Sequence, residues 1–253
     1  MERSAYEQLA EIEDTHWWFV YRRKLIGDLL EGSGGVAGEL ALDIGCGTGG
    51  NLPFLKKYCA NVCGLDLSEY AIALARRKYP RETFLEGDIN ELRSLYRPAS
   101  FDLISDFSVL NHQWIKSDLE SMRHIHYVLR PGGVFLMTEP AFPALRRGHD
   151  RIGQIARRYT LPQLNSLLEA AGFRRIHSTY FNMPALPITL VLAIANRLGL
   201  SPRTRDGGVS ELKLPPKWLN NTLNAALGIE LAAIRSFGRI PFGVSIACVA
   251  RKS

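Results

Sequence analysis

A glycine-rich turn preceded by an acid is the stretch of the sequence best suited to hold a nucleotide cofactor. It reads ALDIGCGTGGNL and places Asp43 two positions before the first glycine, Gly45. The turn matches G-x-G-x-G through Gly45, Gly47 and Gly49, and the overlapping pattern G-x-G-x-x-G fits as well, with Gly50 as its last glycine. Glycines permit a tight turn and let a ligand approach the backbone closely. Spacing alone therefore leaves two classes of nucleotide cofactor open.

The acid before the turn favours a cofactor whose nearest end is cationic. A dinucleotide needs its pyrophosphate on the backbone N–H groups at the start of the following helix, and the carboxylate of Asp43 would repel that anion. An ammonium group gains a charge-assisted hydrogen bond from the same carboxylate. S-adenosylmethionine has such an amino-acid end and no phosphate, so Asp43 favours it over NAD.

Two more acids stand where later strands are predicted to end. Asp66 ends the second strand, a position from which an acid accepts both ribose hydroxyls in doubly wound sheets. Asp88 follows the third strand and could accept from the adenine amine, while Ile89 packs against the ring. Asp66 is shared with NAD proteins, whereas Asp88 is not part of the dinucleotide fingerprint. Each feature alone is also typical of a structural cap, but their order at successive strand ends indicates a site.

Alternating strand and helix patterns position these residues from residue 40 onward. Such alternation is typical of βαβ units and of a parallel sheet covered on both faces. The predicted strands are LALDI, NVCGLDLS, ETFLEGDI, FDLISDFSVL, PGGVFLMTEP, RRIHSTYF and FGVSIACVAR. One helical pattern covers residues 5–31, and a short helix is predicted near 51–58. Thr160 and Gln163 have the spacing of a capping box, which predicts the start of a helix before the sixth strand. The segment KWLNNTLNAALGIELAAIRSF predicts an amphipathic helix.

The length of 253 residues suits one domain, since single cores stop growing near ~250–300 residues. We predict a single domain over 1–253. Its expected parts are an N-terminal helical lid (1–35), a cofactor-binding core (38–140), an acceptor-side segment with the sixth strand (141–181), a helical insertion (182–241) and the last strand (242–253). The insertion needs helices because a compact domain rarely leaves so long a stretch structureless.

Composition argues against a disordered chain and against a fibrous repeat. A hydrophobic fraction of 46% with 22% charged residues is ordinary for a globular protein. The four cysteines form no C-x-x-C pair, which favours a reducing compartment without structural zinc. The N-terminus lacks the pattern of a secretory signal, so we expect a cytoplasmic protein. The net charge of +6 comes from scattered basic doublets and does not favour nucleic acid as a partner.

Residues 40–140 resemble the core of the class I S-adenosylmethionine-dependent methyltransferases. The motifs LDIGCGTG, GLDLS, GDI, FDLIS and LRPGGVFLMTEP follow that family's order. The resemblance implies an α/β fold with a doubly wound, seven-stranded, mostly parallel Rossmann-like sheet whose last strand is antiparallel. It also implies the cofactor-binding residues, which are Asp43, Gly45, Cys46, Gly47 and Gly49 at the methionine end, Asp66 and Leu67 at the ribose, Asp88 and Ile89 at adenine, and Asp106 and Phe107 beside the cofactor.

The chain departs from the family pattern at two places. Asn111 stands in the sequence LNH where family members often read LEH, so an acid role there is in doubt. The segments HWWF, HDRIGQIARRY and LKLPPKWLN resemble a bacterial subgroup of small-molecule or lipid type. Within the second of them, Gln154 and Ile155 replace the Gly-His of those relatives.

Methyl transfer from a sulfonium is an in-line displacement, so the protein contributes mainly alignment and exclusion of water. Where the acceptor needs a general base, His112 and His149 are the candidates. Trp17 and its aromatic neighbours could cover the cofactor as a lid by cation–π attraction, or simply be buried. Arg22 or Arg23 could reach the cofactor carboxylate, with solvent as the alternative for one of them.

The acceptor side is basic and apolar. Between Arg146 and His177 seven arginines face two acids, and the thirteen-residue segment MPALPITLVLAIA is apolar on every side but shorter than a membrane span. These features favour a small-molecule acceptor that is lipid-like, prenylated or anionic, with a peripheral membrane contact. A solvated basic face and a buried helix are the alternatives.

Three other functions stay open at this point. An NAD-dependent oxidoreductase fits the overlapping glycine pattern. An RNA methyltransferase is a second alternative, although SDFSVLNHQW lacks the NPPY-type motif expected after the fourth strand. A binding module that retains its cofactor without catalysis is the third. The sequence does not predict the oligomeric state.

Overall fold

The computed structural model describes residues 3–200 and 214–253. Seven strands form one sheet in the order β3-β2-β1-β4-β5-β7-β6. The strands are β1 (Gly38–Ile44), β2 (Cys59–Asp66), β3 (Thr83–Glu86), β4 (Phe101–Phe107), β5 (Leu129–Pro140), β6 (Phe173–Phe181) and β7 (Ser245–Lys252). Strands β1 to β5 are parallel, and β7 is antiparallel to both β5 and β6. The predicted fold class is therefore confirmed.

Ten α-helices pack around this sheet in the described residues. They are α1 (Arg3–Ile12), α2 (Trp17–Gly32), α3 (Leu52–Leu55), α4 (Glu69–Lys78), α5 (Leu92–Leu95), α6 (Asp118–Val128), α7 (Gly148–Ile152), α8 (Leu161–Ala170), α9 (Leu186–Arg197) and α10 (Lys217–Phe237). Within residues 3–200 and 214–253, none of these helices is long and apolar enough to cross a membrane. Residues 201–213 of the predicted insertion lie outside the described residues.

The N-terminal region differs from the single helix predicted over residues 5–31. It forms two helices, because His16 caps the second one: its Nδ1 accepts a hydrogen bond from the backbone N of Trp18 at 3.2 Å. Residues between Ile12 and Trp17 leave the helical path, and this break lets α1 turn across the end of the sheet. The helix predicted near 51–58 is also shorter than expected, spanning only Leu52–Leu55.

The central strands are buried on both faces, as a parallel sheet between helical layers requires. In β1 the side chains of Ala41, Leu42 and Ile44 are buried, and β4 and β5 continue this core on one side. Helix α2 packs on it through Leu25 and Ile26, both fully buried. The carboxyl ends of these strands therefore meet at one edge, where the glycine turn lies.

Glu230 joins three separate elements at the edge of this core. The residue lies on α10 and is buried. Its carboxylate accepts hydrogen bonds from the Tyr21 hydroxyl of α2 at 2.6 Å and from the backbone N of Asn182 at 2.7 Å, and it also accepts from the backbone N of Met183. A single side chain thus fixes α2, α10 and the turn that leads into α9.

We predict that Glu230→Ala lowers the free energy of unfolding by about 2–4 kcal/mol, because two buried donors and one half-buried donor lose their acceptor. Urea unfolding followed by circular dichroism measures this. Asn221→Ala, an exposed position on the same helix, is the control and should change stability little. Equal stability of Glu230→Ala and the control would contradict the role of Glu230 in holding α2, α10 and the turn before α9 together.

Candidate cofactor and acceptor site

A cleft of about 480 Å³ opens at the carboxyl edge of the sheet. Its walls come from α1 and α2, the glycine turn, the ends of β2 and β3, the loop after β4, Arg151 and residues 153–155. Ligands of open α/β sheets bind at this edge. The cleft is thus the candidate site for a cofactor and its acceptor.

The glycine turn takes a backbone course that only glycine adopts readily. Gly45 has φ +64° and Gly47 has φ +53°. A Cβ at position 45 would lie 2.3 Å from Cγ2 of Val109, so a side chain there would collide with the loop after β4. The backbone N of Gly47 donates to the carboxylate of Asp66 at 2.8 Å. The turn therefore exposes backbone to the cleft and is attached to the end of β2.

Asp43 is fully buried below this turn and does not itself line the cleft. Ser105 Oγ donates to its Oδ1 at 2.7 Å, and Asn51 Nδ2 donates to its Oδ2 at 3.1 Å. Burial raises the pKa of Asp43 to about 6, against the lowering effect of these hydrogen bonds and of Arg22. Asp43 supports the floor of the cleft through Asn51.

Arg22 brings a buried positive charge from α2 into the cleft wall. Its Nη2 lies 3.4 Å from Oδ1 of Asn51, and its guanidinium carbon lies 4.9 Å from the ring centroid of Phe107. Nε has no hydrogen-bond partner among the described residues. Burial lowers the pKa of Arg22 to about 10, so it stays charged near neutral pH. This guanidinium can bind an anionic group of a ligand.

Asp66 and Asp88 mark the other half of the cleft. Asp66 ends β2 and lines the wall, with Leu67 exposed beside it. Burial raises the pKa of Asp66. Asp88 caps a turn by accepting from the backbone N of Asn90 at 2.9 Å, and Ile89 is buried next to it. An acid and apolar side chains therefore lie together where a nucleoside could bind.

Two buried acids hold the loop that follows β4. Oδ1 of Asp106 accepts from the backbone N of Val109 at 3.0 Å. Glu139, on β5, accepts from the backbone N of Leu110 at 3.1 Å and from Asn111 Nδ2 at 2.9 Å. Burial raises the pKa of Asp106 to about 7, and burial with the nearby Asp106 raises the pKa of Glu139 well above its usual value. The two acids position residues 109–111.

This loop presents Asn111 and His112 to the cleft. Asn111 is buried, and its Oδ1 has no hydrogen-bond partner within the part of the chain that the structure describes. His112 stacks on Trp114 with ring centroids 4.2 Å apart, and its Nδ1 lies 3.4 Å from the carbonyl oxygen of Gln154. A carbonyl only accepts, so the neutral ring donates from Nδ1 and keeps Nε2 as an acceptor. Burial lowers the pKa of His112 to about 4.

The structure brings most of the predicted site residues into one cleft. Those that line it are Arg22, Gly45, Cys46, Gly47, Asp66, Leu67, Asp88, Ile89, Phe107 and His112. Three others, Asp43, Gly49 and Asp106, lie behind the wall. The His149 side chain lies outside what the structure describes, although its backbone belongs to α7.

Trp17 requires a correction, because it does not line the cleft. Its backbone N donates to Asn220 Oδ1 at 3.0 Å. From α2, Phe19 and Arg22 line the cleft, together with Arg23, whose Nη2 donates to the Glu13 carbonyl at 2.8 Å. Arg22 is buried and Arg23 is half-buried, so neither of them is fully exposed to solvent.

Helix α1 covers the cleft as a lid through Ala5, Tyr6 and Leu9. The lid is tied to α4 by Lys78, whose Nζ lies 2.8 Å from both Glu13 Oε1 and Asp14 Oδ2. The helical lid expected over residues 1–35 includes this helix. Of the aromatic block that follows it, Phe19 lines the cleft, whereas Trp17 does not.

Sequence reasoning missed several residues that shape the site. Asn51 and Ser105 bind Asp43, and their types carry no distinctive signal. Glu139 offered one, since an acid inside the buried strand LMTEP contradicts the apolar pattern around it. Trp114, in the loop after β4, and Arg151, in the short helix α7, also line the cleft. No group of three or more metal-ligating side chains occurs within the described ranges.

The fold and the cleft define a cofactor-binding α/β domain, and comparison with known proteins shows which family its core matches. Residues 42–137 match the family model described as a methyltransferase domain. The resemblance to class I S-adenosylmethionine-dependent methyltransferases is therefore confirmed for this part of the chain.

Three known proteins illustrate the similarity. A probable S-adenosylmethionine-dependent methyltransferase of Mycolicibacterium smegmatis is 34% identical over 139 residues, covering 54% of this chain and 52% of that one. A demethylmenaquinone methyltransferase of Chlorobaculum tepidum is 34% identical over 130 residues, covering 51% and 50%. A solved methyltransferase from Mesorhizobium loti superposes with a TM-score of 0.60 at 19% identity, covering 94% and 99%. The matched part of the chain spans about half the length of the first two proteins, the relatives found by sequence.

The buried acids give a test of the electrostatics in the protein without ligand. Because burial raises the pKa of Asp106 from 3.8 to about 7, the folded chain keeps this proton at a pH where the unfolded chain has lost it. The stabilisation that comes from this retained proton is fully present below the unfolded pKa of 3.8, and it is lost as the pH rises through about 7. We predict that Tm falls between about pH 5 and pH 8, and that Asp106→Asn reduces the fall by about 5 °C.

Differential scanning fluorimetry of both proteins across this pH range measures the effect. The amide keeps an oxygen for the backbone N of Val109, so the variant should fold. Parallel Tm profiles for the variant and the natural chain would contradict the assignment of a raised pKa to Asp106.

Proposed function

We propose that the protein is an S-adenosylmethionine-dependent methyltransferase that acts on a small-molecule acceptor. The observation that carries this proposal is the buried guanidinium of Arg22, whose Nε has no hydrogen-bond partner among the described residues, in the same cleft as the glycine turn and Asp66. That order suits a ligand with a carboxylate at one end and a ribose at the other. When bound, the cofactor supplies a methyl group activated on a sulfonium.

The residues present fit this cofactor. Arg22 would hold its carboxylate, Gly45 and Gly47 let its amino-acid part approach the backbone, and Asp66 would accept from the ribose hydroxyls. Leu67 and Ile89 offer apolar surface for adenine. Asp43, buried behind the turn, favours an ammonium through its field rather than through contact.

The helix after the turn is poorly suited to a dinucleotide. Helix α3 has four residues, so its dipole is small. The backbone N of Leu52 donates to the carbonyl of Gly49 at 3.0 Å, and the next residue is Pro53, which has no N–H. The N–H groups that a pyrophosphate needs at this helix start are therefore taken or missing, which supports S-adenosylmethionine over NAD.

The acceptor side of the cleft is formed by Asn111, His112 and Trp114. Asn111 Oδ1 is a buried acceptor that would be satisfied by an O–H or N–H group, and Nε2 of His112 is placed to take a proton. We infer an acceptor that carries a hydroxyl or amine near the atom to be methylated. A lipid-like or prenylated body fits the apolar ring of Trp114 and the apolar helix α9, and a peripheral membrane contact belongs to the same proposal.

The first test compares cofactors. We predict that S-adenosylhomocysteine raises Tm and NADH does not. Arg22→Met should weaken S-adenosylhomocysteine roughly 100-fold, because the charge-assisted bonds to the carboxylate are lost.

Isothermal titration calorimetry measures the affinities, with Lys24→Met as control because Lys24 is exposed on the same helix. Stabilisation by NADH alone would overturn the proposed cofactor. Unchanged affinity of Arg22→Met would remove Arg22 from the site and leave the cofactor assignment standing on the ligand comparison.

The second test concerns the base. His112→Ala should lower kcat by about 10²- to 10⁴-fold if Nε2 takes the acceptor proton, with unchanged affinity for S-adenosylhomocysteine. Because burial lowers the pKa of His112 to about 4, the ring is already neutral at pH 6, and the rate should not fall through its protonation between pH 8 and pH 6.

Transfer of labelled methyl from S-adenosylmethionine to a panel of phenolic, quinol and amine acceptors gives the rates. Gln113→Ala, exposed beside the histidine, is the matched control. A variant His112→Ala with the rate of the control would show that the ring only packs on Trp114.

A further inference from the structure

We propose that helix α9, with the arginines around it, is a docking surface for an anionic membrane. The inference deepens the proposed function, because it names the place from which a lipid-like acceptor would reach the cleft. The docking itself rests on the surface of the molecule and can be tested without any methyl transfer.

The surface of α9 is apolar and exposed. Five large apolar side chains on it are at least two fifths exposed, and Val191 and Ile188 reach 64% and 62%. The others are Leu190, Leu192 and Ile194. Only Thr189 and Ala193 of this helix are buried. Contiguous apolar surface of this kind marks an interaction site on a soluble domain, so the alternative of a helix buried between its neighbours is wrong.

The charges beside α9 are positive. Arg197, on α9, and Arg146, two residues after Ala144 whose carbonyl accepts from Arg197, are exposed, and so is Arg151 on α7. Between residues 141 and 200 the chain has two acids. Asp150 is buried and forms an ion pair with Arg158 at 2.6 Å. The other acid, Glu169, lies near the end of α8, just before the start of β6, whereas α9 follows the opposite end of that nine-residue strand.

The surface is connected to the wall of the cleft. Arg197 Nη2 donates to the carbonyl of Ala144 at 3.0 Å, so the end of α9 lies on the turn that precedes α7. Residues of and just after α7, Arg151 and Gly153, line the cleft. A membrane in contact with α9 would therefore lie next to the acceptor side.

The charge distribution favours a membrane over a second copy of the chain. A two-fold contact between two α9 surfaces would bring arginines of one copy against those of the other, and like charges across an interface are unfavourable. Anionic headgroups neutralise the same arginines while the acyl boundary accepts Ile188 and Val191. Apolar side chains with flanking cations are the usual composition of helices that lie in the membrane interface.

The test uses the full chain and vesicles of phosphatidylcholine, with or without phosphatidylglycerol, in a sedimentation assay. We expect binding to the anionic vesicles. The double variant Ile188→Asp and Val191→Asp should bind about tenfold more weakly or worse, because the apolar contact is lost. The matched control is Ile229→Asp with Phe237→Asp, which adds the same charge at two exposed apolar positions of α10 and should bind as the natural chain does.

A second arm tests the charges. Arg146→Gln with Arg197→Gln should weaken binding about fivefold for each arginine, and about 1 M salt should abolish the difference between the two vesicle types. Stabilisation of every variant by S-adenosylhomocysteine is recorded in parallel, so a loss of cofactor binding is distinguished from a loss of docking.

Three outcomes would overturn the proposal. The first is equal sedimentation with and without phosphatidylglycerol, and the second is equal binding of the α9 variant and the α10 control. The third is a dimer of the natural chain in light scattering that becomes monomeric in the α9 variant, with no vesicle binding by either protein. Vesicle binding that follows the prediction in a protein that S-adenosylhomocysteine does not stabilise would support the docking and contradict the proposed function.

Discussion

The burial of a positive charge at the carboxyl edge of the sheet is the constraint on which the site depends. Arg22 enters the cleft wall from α2, and Asn51 links its guanidinium to the fully buried Asp43. A buried charge without compensation costs several kcal/mol, so the arginine and the acid each require the other. One electrostatic requirement therefore positions the lid helices and the glycine turn relative to each other, before any ligand binds.

The acids at the ends of β1, β4 and β5 act on a ligand indirectly. Asp43, Asp106 and Glu139 are all buried behind the wall, and each accepts hydrogen bonds from groups that shape the cleft. Because burial raises the pKa of all three, their charge is costly without a cation nearby. Asp43 has a pKa of about 6 and is mostly charged at neutral pH, so its field extends into the cleft. This field favours a cationic ligand end, whereas the direct contact predicted from the sequence is not formed, because Asp43 does not line the cleft.

The sequence was sufficient for the sheet and for the position of the cleft, because strand periodicity and strand-end residues are local signals. It was insufficient for the lid. Because the chain breaks before Trp17 and starts a second helix there, α1 and α2 reach the cleft separately, and from α2 Phe19 and Arg22 line it whereas Trp17 does not. The start is set by the cap at His16, which the apolar spacing does not reveal. The partners of Asp43 were also out of reach, since Ser105 and Asn51 are recognised only by proximity in space.

Helix α9 shows why an apolar segment is ambiguous without its neighbours. Helix α10 has polar and apolar sides, and its pattern alone predicted which side is buried. The apolar residues of α9 surround the helix, so composition permits either a buried or an exposed position. The structure decides this through Glu230, which accepts from Tyr21 on α2 and from the backbone just before α9. The carboxylate that fixes the helix carrying Arg22 thus also fixes the origin of α9 at the molecular surface, and the cofactor wall and the apolar surface are parts of one rigid arrangement.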